Sequence, residues 1–319
     1  MVRFFVRRVL FGLLVMWIIS VAVFVMFFVA PHDVARLLAG RQATPETVAA
    51  VRHNLGLDRS VLAQYDSFLW RLVHGNLGFS YYNSEPVTHL LVSRLPVTAS
   101  LVLGGVALWL ALGVGGGVLA ATRPRSAADR TVTTLSLLFY SMPTFLLGLL
   151  LLYFLFFRLH LAGVDAFPGS GYVPLTQSPS GWADHLVLPW FTVALATAAV
   201  YSRLTRGSML DVLGEDYIRT ARAKGIGNMR LIYVHGLRSA LTPVVTQVGI
   251  DLAVLLGGVL VTEQIFGLPG LGQLAVLSIT TRDLPVVIGI VLLASFFVVV
   301  ANIVVDLLYA VLDPRVHVH

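Results

Sequence analysis

The chain reads as long apolar runs separated by short polar stretches. Uncharged runs cover about 9–30, 97–121, 134–157, 186–202, 240–262 and 285–309; the fourth is the shortest, and Asp251 interrupts the fifth. An α-helix needs roughly 17–25 apolar residues to cross a bilayer's hydrocarbon core. The pattern predicts an all-α integral membrane protein with six transmembrane helices, both ends on one side of the membrane. Helices suit that solvent because they satisfy their own backbone polar groups. The start, MVRFFVRRVL, has the basic character of a signal peptide. Its apolar run, Val9 to Ala30, exceeds the roughly 7–15 residues of a signal's apolar core, and no small-x-small cleavage pattern follows. An uncleaved first span is predicted.

The stretch at 31–95 is patterned as a helical extracytoplasmic segment. Thr44 suits an N-cap, Pro45 the first helical position and Glu46 the first turn, with Gly56 as stop and Val48, Val51 and Leu55 on one face. A second helix is predicted from about Ser60 to His74, with Leu62, Tyr65, Leu69 and Leu72 on one stripe and Gly75 as stop. This segment reads as a cap on the spans or as a docking surface for an external partner. Residues 159–185, rich in Gly, Pro and Ser, predict an irregular outer loop. Gly113 and Gly117, with Gly115 and Gly116 between them, and Gly257 and Gly258 are small residues that let helices approach closely in lipid.

Composition agrees with a membrane setting. Of 319 residues, 57% are hydrophobic and 12% charged, about half the charge of a soluble domain. Cysteine is absent, which excludes disulfides, thiolate metal sites and cysteine nucleophiles. The net charge of +6 reads as the positive-inside rule, with no nucleic-acid partner. Arg3, Arg7 and Arg8, then Arg123, Arg125 and Arg130, then the basic residues of 203–239, then Arg315 all fall on one side if both termini are cytoplasmic. The outer loops at 159–185 and 263–284 hold one basic residue, Arg282; the outer segment 31–95 holds more, but long segments weigh little in this rule.

Much chemistry is missing. There is no P-loop, no H-E-x-x-H and no G-x-S-x-G, and the nine histidines are scattered. The chain predicts no cofactor of its own, no metal site and no enzymatic activity. Asp251 is the deepest ionisable residue, with Asn302 and Asp306 toward the inner end of the sixth run. It reads as a polar contact inside the bundle or beside a water-filled path. A secondary transporter coupled to an ion at Asp251 is the alternative; paired catalytic groups for a membrane-embedded enzyme are absent from the runs.

The stretch 203–239 is long for a connector. Asp216 opens a short helix; Arg222 and Lys224 close it before Gly225, in the order that complements the helix dipole. A second helical stretch from about Asn228 carries Leu231, Val234 and Leu237 toward the fifth run, which Pro243 opens. Tyr217, Ile218 and Ala221 form a small apolar side of the kind that docks into a partner's groove.

Here the sequence resembles a known family. R-T-A-R-A-K-G at 219–225, preceded by D-Y-I, is similar to the cytoplasmic EAA motif of ABC-importer permeases, in the version of the dipeptide/oligopeptide/nickel permease family. Gly225 matches the motif's glycine and Ala221 its second alanine; Arg219 stands at the glutamate position and Thr220 at the first alanine. The resemblance covers nearly the whole chain. It includes L-G-L-D at 55–58 with Gln64 and Tyr65, G-N-L-G-F-S at 75–80, R-L-P-V-T at 94–98, S-M-L-D-V-L at 208–213, E-Q-I-F-G-L-P-G-L-G at 263–272 and Y-A-V-L-D-P-R-V at 309–316. A-P-H-D-V at 30–34 and Asn76 depart from the pattern.

The resemblance implies a single permease domain over 1–319 with the type I ABC importer fold, in a bacterial cytoplasmic membrane. It implies a coupling helix formed by Asp216, Tyr217, Ile218, Arg219, Thr220, Ala221, Arg222, Ala223, Lys224 and Gly225, seated on an ATPase subunit. The implied partners are a second homologous permease, two ABC ATPase subunits that bind ATP and Mg, an extracytoplasmic substrate-binding protein and a peptide substrate, with nickel or another small solute as the alternative cargo. Glu263, Gln264, Phe266, Pro269, Gly270 and Gly272 are candidates for an outer gate or the substrate path; a pairing of Glu263 with Arg282 or another outer arginine is expected.

Overall fold

A computed structural model of the chain describes residues 2–29, 35, 44–54, 58–80 and 82–312. Its helices are α1 (Val2–Phe24, continued by a wider turn Val25–Val29), α2 (Pro45–Asn54), α3 (Val61–Val73), α4 (Val87–Thr122), α5 (Ala127–Ser141) and α6 (Thr144–Leu161). Then follow α7 (Pro179–Gly214), α8 (Asp216–Ala223), α9 (Asn228–Arg230, continuing through Leu231–Gly236 and Leu237–Ala240), α10 (Thr242–Ile265), α11 (Leu271–Thr281) and α12 (Leu284–Leu312). A two-stranded antiparallel ribbon, β1 (Phe79–Ser80) and β2 (Glu85–Pro86), precedes α4. Among the described residues, five helices are long and apolar enough to cross a membrane: Phe5–Val29, Val87–Thr122, Thr144–Leu161, Pro179–Gly214 and Leu284–Leu307. The 24-residue α10 covers residues 242–262 of the fifth predicted run.

Three expectations change. The run 134–157 is not one helix: α5 ends at Ser141, Met142 is extended and α6 starts at Thr144. Pro143 is the cause, since it has no N–H to donate and disfavours a helical residue before it. The short run 186–202 lies within the 36-residue α7, because Asp184 and Arg203 end the apolar run without ending the helix. The outer loop is correspondingly shorter, since α7 already begins at Pro179 behind the N-cap Ser178. A-P-H-D-V at 30–34, Gly56 with most of L-G-L-D, and D-P-R-V at 313–316 lie outside the described residues.

The contacts group into two compact units, residues 1–93 with 275–300, and 94–274 with 301–319. In the first, Thr44 caps α2 through Thr47 N, Pro45 is its first residue, and Ser60 caps α3 through Ala63 N. Phe68 of α3 packs with Val23, Phe24, Ile288 and Leu292. The inner stripe of α3 is therefore Tyr65, Phe68 and Leu72; Leu62, predicted to share it, is 82% exposed. Ser80 Oγ donates to Asp283 Oδ2 and accepts from Asn83 N, fixing the ribbon beside the loop that precedes α12.

In the second unit the core joins Leu101 and Trp109 of α4, Leu186 and Tyr201 of α7, Val244 and Val259 of α10, and Phe266. Glycines of α4 set its depth. A Cβ at Gly113 would lie 2.5 Å from Tyr201 Cβ, and one at Gly117 2.5 Å from Thr205 Cβ and 2.7 Å from Ser202 O. At Gly104 it would lie 2.1 Å from the Trp190 ring, whose Nε1 donates to Ser100 O. The contacts rise together along both helices, so α4 and α7 run in the same direction. A bidentate pair, Arg206 Nε to Asp129 Oδ1 at 2.7 Å and Nη2 to Oδ2 at 3.0 Å, fastens α5 to α7. The guanidinium holds the Asp129 carboxyl down at about 2, so the pair stays ionised at physiological pH.

Gly117→Leu is expected to separate α4 from α7 and lower the thermal midpoint in detergent, by an overpacking cost of about 1–3 kcal/mol or more. Gly115→Ala, which meets nothing within 4 Å, is expected to leave the midpoint unchanged. Equal midpoints for all three proteins would contradict the close crossing.

Candidate functional site

The basic elbow begins where α7 stops. Glu215 is extended and its carbonyl accepts from Ile218 N and Arg219 N, starting α8 at a new angle. Asp216 lies in the first turn and Arg222 in the last, matching the dipole. The stop is a Schellman motif: Gly225 N donates to Arg222 O, Ile226 N to Ala221 O, and Gly225 has φ +80°. A side chain at 225 meets no neighbour but pays for a left-handed backbone.

The predicted docking face is partly spent within the chain. Ile218 is fully buried and Ala221 half-buried, while the Tyr217 hydroxyl donates to Ser239 Oγ at 3.2 Å. Asp216, Tyr217, Arg219, Thr220, Arg222, Ala223, Lys224 and Gly225 are exposed, and Arg219 Nη1 donates to Asp216 Oδ1. Met229, Tyr233 and Val234 of α9 are exposed as well, so the outward surface includes α9 residues that the motif does not contain. Val234 is thus not one of the inward residues; Leu231 and Leu237 are. Underneath, Ile232 and Ala240 pack with Met209 of α7 and with Val118 and Ala121 of α4. Gly236 is buried against Met209 and Leu213. The elbow is therefore anchored directly on α4 and α7.

The motif at 263–272 is built around a buried carboxylate. Glu263 is fully buried; Thr98 Oγ1 donates to its Oε1 at 2.6 Å and Gln273 N to its Oε2 at 3.0 Å. Thr98 Oγ1 also accepts from Leu271 N. Glu263 and Thr98 together cap the first turn of α11, whose amide groups would otherwise lack partners. Two of the motif's glycines make room for the carboxylate. A Cβ at Gly270 would lie 2.2 Å from Glu263 Oε1, and one at Gly272 3.0 Å from Oε2 and 2.6 Å from Leu260 Cα. Gly267 turns the chain with φ +59°, and Phe266 is buried in the core with its carbonyl accepting from Gly171 N. Gln264 is exposed and Pro269 half-buried. Glu263 thus has hydrogen bonds to a hydroxyl and a backbone amide in place of the expected arginine salt bridge, with Arg94 within electrostatic reach.

Asp251 is held on both oxygens: Tyr201 OH donates to Oδ2 at 2.8 Å and Gln247 Nε2 to Oδ1 at 3.0 Å. Its carboxylate thus joins α10 to α7 through Tyr201. Sequence reasoning missed Thr98, Tyr201 and the Asp129–Arg206 pair as partners. Only the pair had a local signal: Ser126 and Asp129 form an N-terminal capping pattern before an apolar run. Among the described residues, no group of three or more His, Cys, Asp or Glu could hold a metal ion.

Comparison with known proteins places this geometry. Residues 1–102 match the family described as the N-terminal part of a binding-protein-dependent transport system membrane component, and residues 113–318 match that of its inner membrane component. A putative peptide transport system permease protein of Brucella suis biovar 1 is 42% identical over 317 residues, covering 99% of each chain. The dipeptide transport system permease protein of Escherichia coli strain K12 is 38% identical, again over 99% of each. A solved structure of the methionine ABC transporter MetNI in inward-facing conformations shares the fold: TM-score 0.52 at 22% identity, covering 70% of this chain and 96% of that one. The chain is a multi-pass membrane protein and belongs to the family of binding-protein-dependent transport system inner membrane components.

Proposed function

We propose that this chain is a transmembrane subunit of an ATP-driven importer that carries peptides into the cytoplasm of a bacterium. The observation that carries the reading is the elbow: a short capped helix with an exposed face, anchored on the inner ends of α4 and α7. Such a helix can be pushed by a partner and pass the displacement to two spans without bending between. The peptide cargo is supported by the names of the full-length relatives.

In this reading α1, α4, α6, α7, α10 and α12 are six spans, and both termini and α8 are cytoplasmic. Two ABC ATPase subunits, which bind ATP and Mg, seat the elbows of this chain and of a second, homologous permease. An extracytoplasmic binding protein delivers the peptide. This chain binds no cofactor and performs no covalent step; its work is to alternate access. The Glu263 turn lies at the outer end of α10 and serves as an outer gate element held in shape by Thr98. Asp251, satisfied by Tyr201 and Gln247, serves packing.

Two outcomes test this. Purified from its host in mild detergent, the chain is expected to bring down a second permease and two ATPase subunits in fixed ratio. Gly225→Asp is expected to reduce the ATPases about tenfold or more, since it adds charge and a left-handed strain of about 1–3 kcal/mol at the docking helix. A transport-active chain that purifies alone would overturn the reading. Gly270→Ala is expected to displace the Glu263 carboxylate, cut peptide uptake severely and leave ATPase co-purification intact. Uptake at the unsubstituted rate would show that the turn is no gate.

A further inference from the structure

The face of α3 that looks away from its own core is unusually apolar for a segment outside the membrane. Leu62 is 82% exposed, Val73 74% and Trp70 68%. At about 100° per residue, the side chains of α3 fall into three sectors. Tyr65, Phe68 and Leu72 form the inner sector, packed on α1 and α12. Leu69, Leu62, Val73 and Trp70 follow on one flank, with Asp66 between Val73 and Trp70. Ala63, Ser67, Arg71 and Gln64 make up the opposite flank. A helix in water needs one apolar sector and one polar one; this helix has a second apolar sector beside the first.

The inner contacts show at what level α3 lies. The Phe68 ring packs at a tilt against Phe24 and Phe28, centroids 5.7 Å from each, and the Tyr65 hydroxyl is 2.8 Å from Ser20 Oγ. Phe28 is one residue from the last described residue of the first span, Val29, and Ser20 is nine. At 1.5 Å per residue those contacts begin about 1.5 Å and reach about 14 Å below Val29 along the span. The outer turns of α1 also leave Val25, Met26 and Val29 exposed, an apolar surface that only lipid or another span covers. The second apolar sector of α3 stands at the level of that surface.

We infer that α3 is a membrane anchor lying along the outer half of the first span: its Leu62, Leu69, Val73 and Trp70 flank faces the lipid of the outer leaflet, with Val73 and Trp70 nearest the headgroups. The inference rests on the placement of 31–95 outside the membrane proposed above. Three surroundings then account for the three sectors: protein on the inner one, lipid on the second apolar one, and water on Ser67, Arg71 and Gln64. Trp70 has the amphipathic ring that favours the headgroup level, with the His74 ring tilted against it at 4.1 Å. Asp66 interrupts the flank between Val73 and Trp70 and is its one charged position. The anchor holds α3 flat against the first span and fixes the height of the ribbon that follows.

This chain has no cysteine of its own, so with partner subunits made cysteine-free each variant carries a single label. Single variants Leu62→Cys, Val73→Cys and Ser67→Cys, in the whole complex, are labelled with an environment-sensitive fluorophore in nanodiscs of phosphatidylethanolamine and phosphatidylglycerol. Labels at 62 and 73 are expected to be quenched about threefold or more strongly than the label at 67 by lipids with a shallow nitroxide, and less strongly by aqueous iodide. Equal iodide quenching at all three sites overturns the inference. So does shielding of 62 and 73 that occurs only when the external binding protein is added, which assigns the flank to a protein contact. Reaction of Ser67→Cys with an impermeant maleimide on intact spheroplasts reads the placement separately: reaction from outside is expected, and reaction only after lysis overturns the topology on which the anchor rests.

Discussion

The close crossing of α4 and α7 is the constraint on which the second unit depends. With no water to exclude between spans, helices in lipid associate through packing at short range. Gly113 and Gly117 supply that range by removing the atoms that would meet Tyr201, Ser202 and Thr205. The contact aligns two long helices in one direction, and both functional elements hang from the resulting pair. Near one end of α4, Thr98 holds Glu263 and caps α11. Near the other, Val118 and Ala121 join Met209 of α7 beneath the elbow. The Asp129–Arg206 pair adds α5 to the same assembly.

The two elements solve different problems. The elbow's helix is short, closed at its C-terminus by the Gly225 turn, and exposed on one side, as the proposed docking requires. The 263–272 turn is the reverse, a buried carboxylate enclosed by residues with no Cβ. Removing one partner from a buried hydrogen-bonded carboxylate costs more than the hydrogen bond adds, because the charge is left without water or donor. That makes the turn a stiff element, and the transport cycle proposed above, a rigid-body rocking between two access states, requires stiffness of both the turn and the elbow.

Periodicity and composition made the spans legible, because hydrocarbon thickness sets a length and the backbone must satisfy itself. They placed the ends poorly. The α7 helix continues well past its apolar run through Asp184 and Arg203, which a hydropathy reading treats as boundaries. Met142 and Pro143 broke a run that hydropathy joined. The elbow's helix was legible to within a residue, since Asp216, Arg222 and Gly225 are local signals of a start and a stop. Its inward face was not: Ile218 looks available until α9 folds beneath it. The hydrogen-bond partners of Glu263 and Asp251 were invisible for the same reason, as Thr98 and Tyr201 are distant in sequence and neutral. Leu62 looked like core by spacing because Phe68 recentres the α3 stripe, and no count of apolar positions shows which of two adjacent apolar sectors meets protein.

The central claim is that transport through this chain is driven by ATP and transmitted through α8. The most direct measurement is uptake of a labelled dipeptide into proteoliposomes holding the purified complex, with binding protein outside and ATP inside. The account predicts uptake that requires internal ATP, persists without an ion gradient and disappears in the Gly225→Asp complex. Uptake that proceeds without ATP, follows an imposed proton or sodium gradient and is abolished by Asp251→Asn would contradict it.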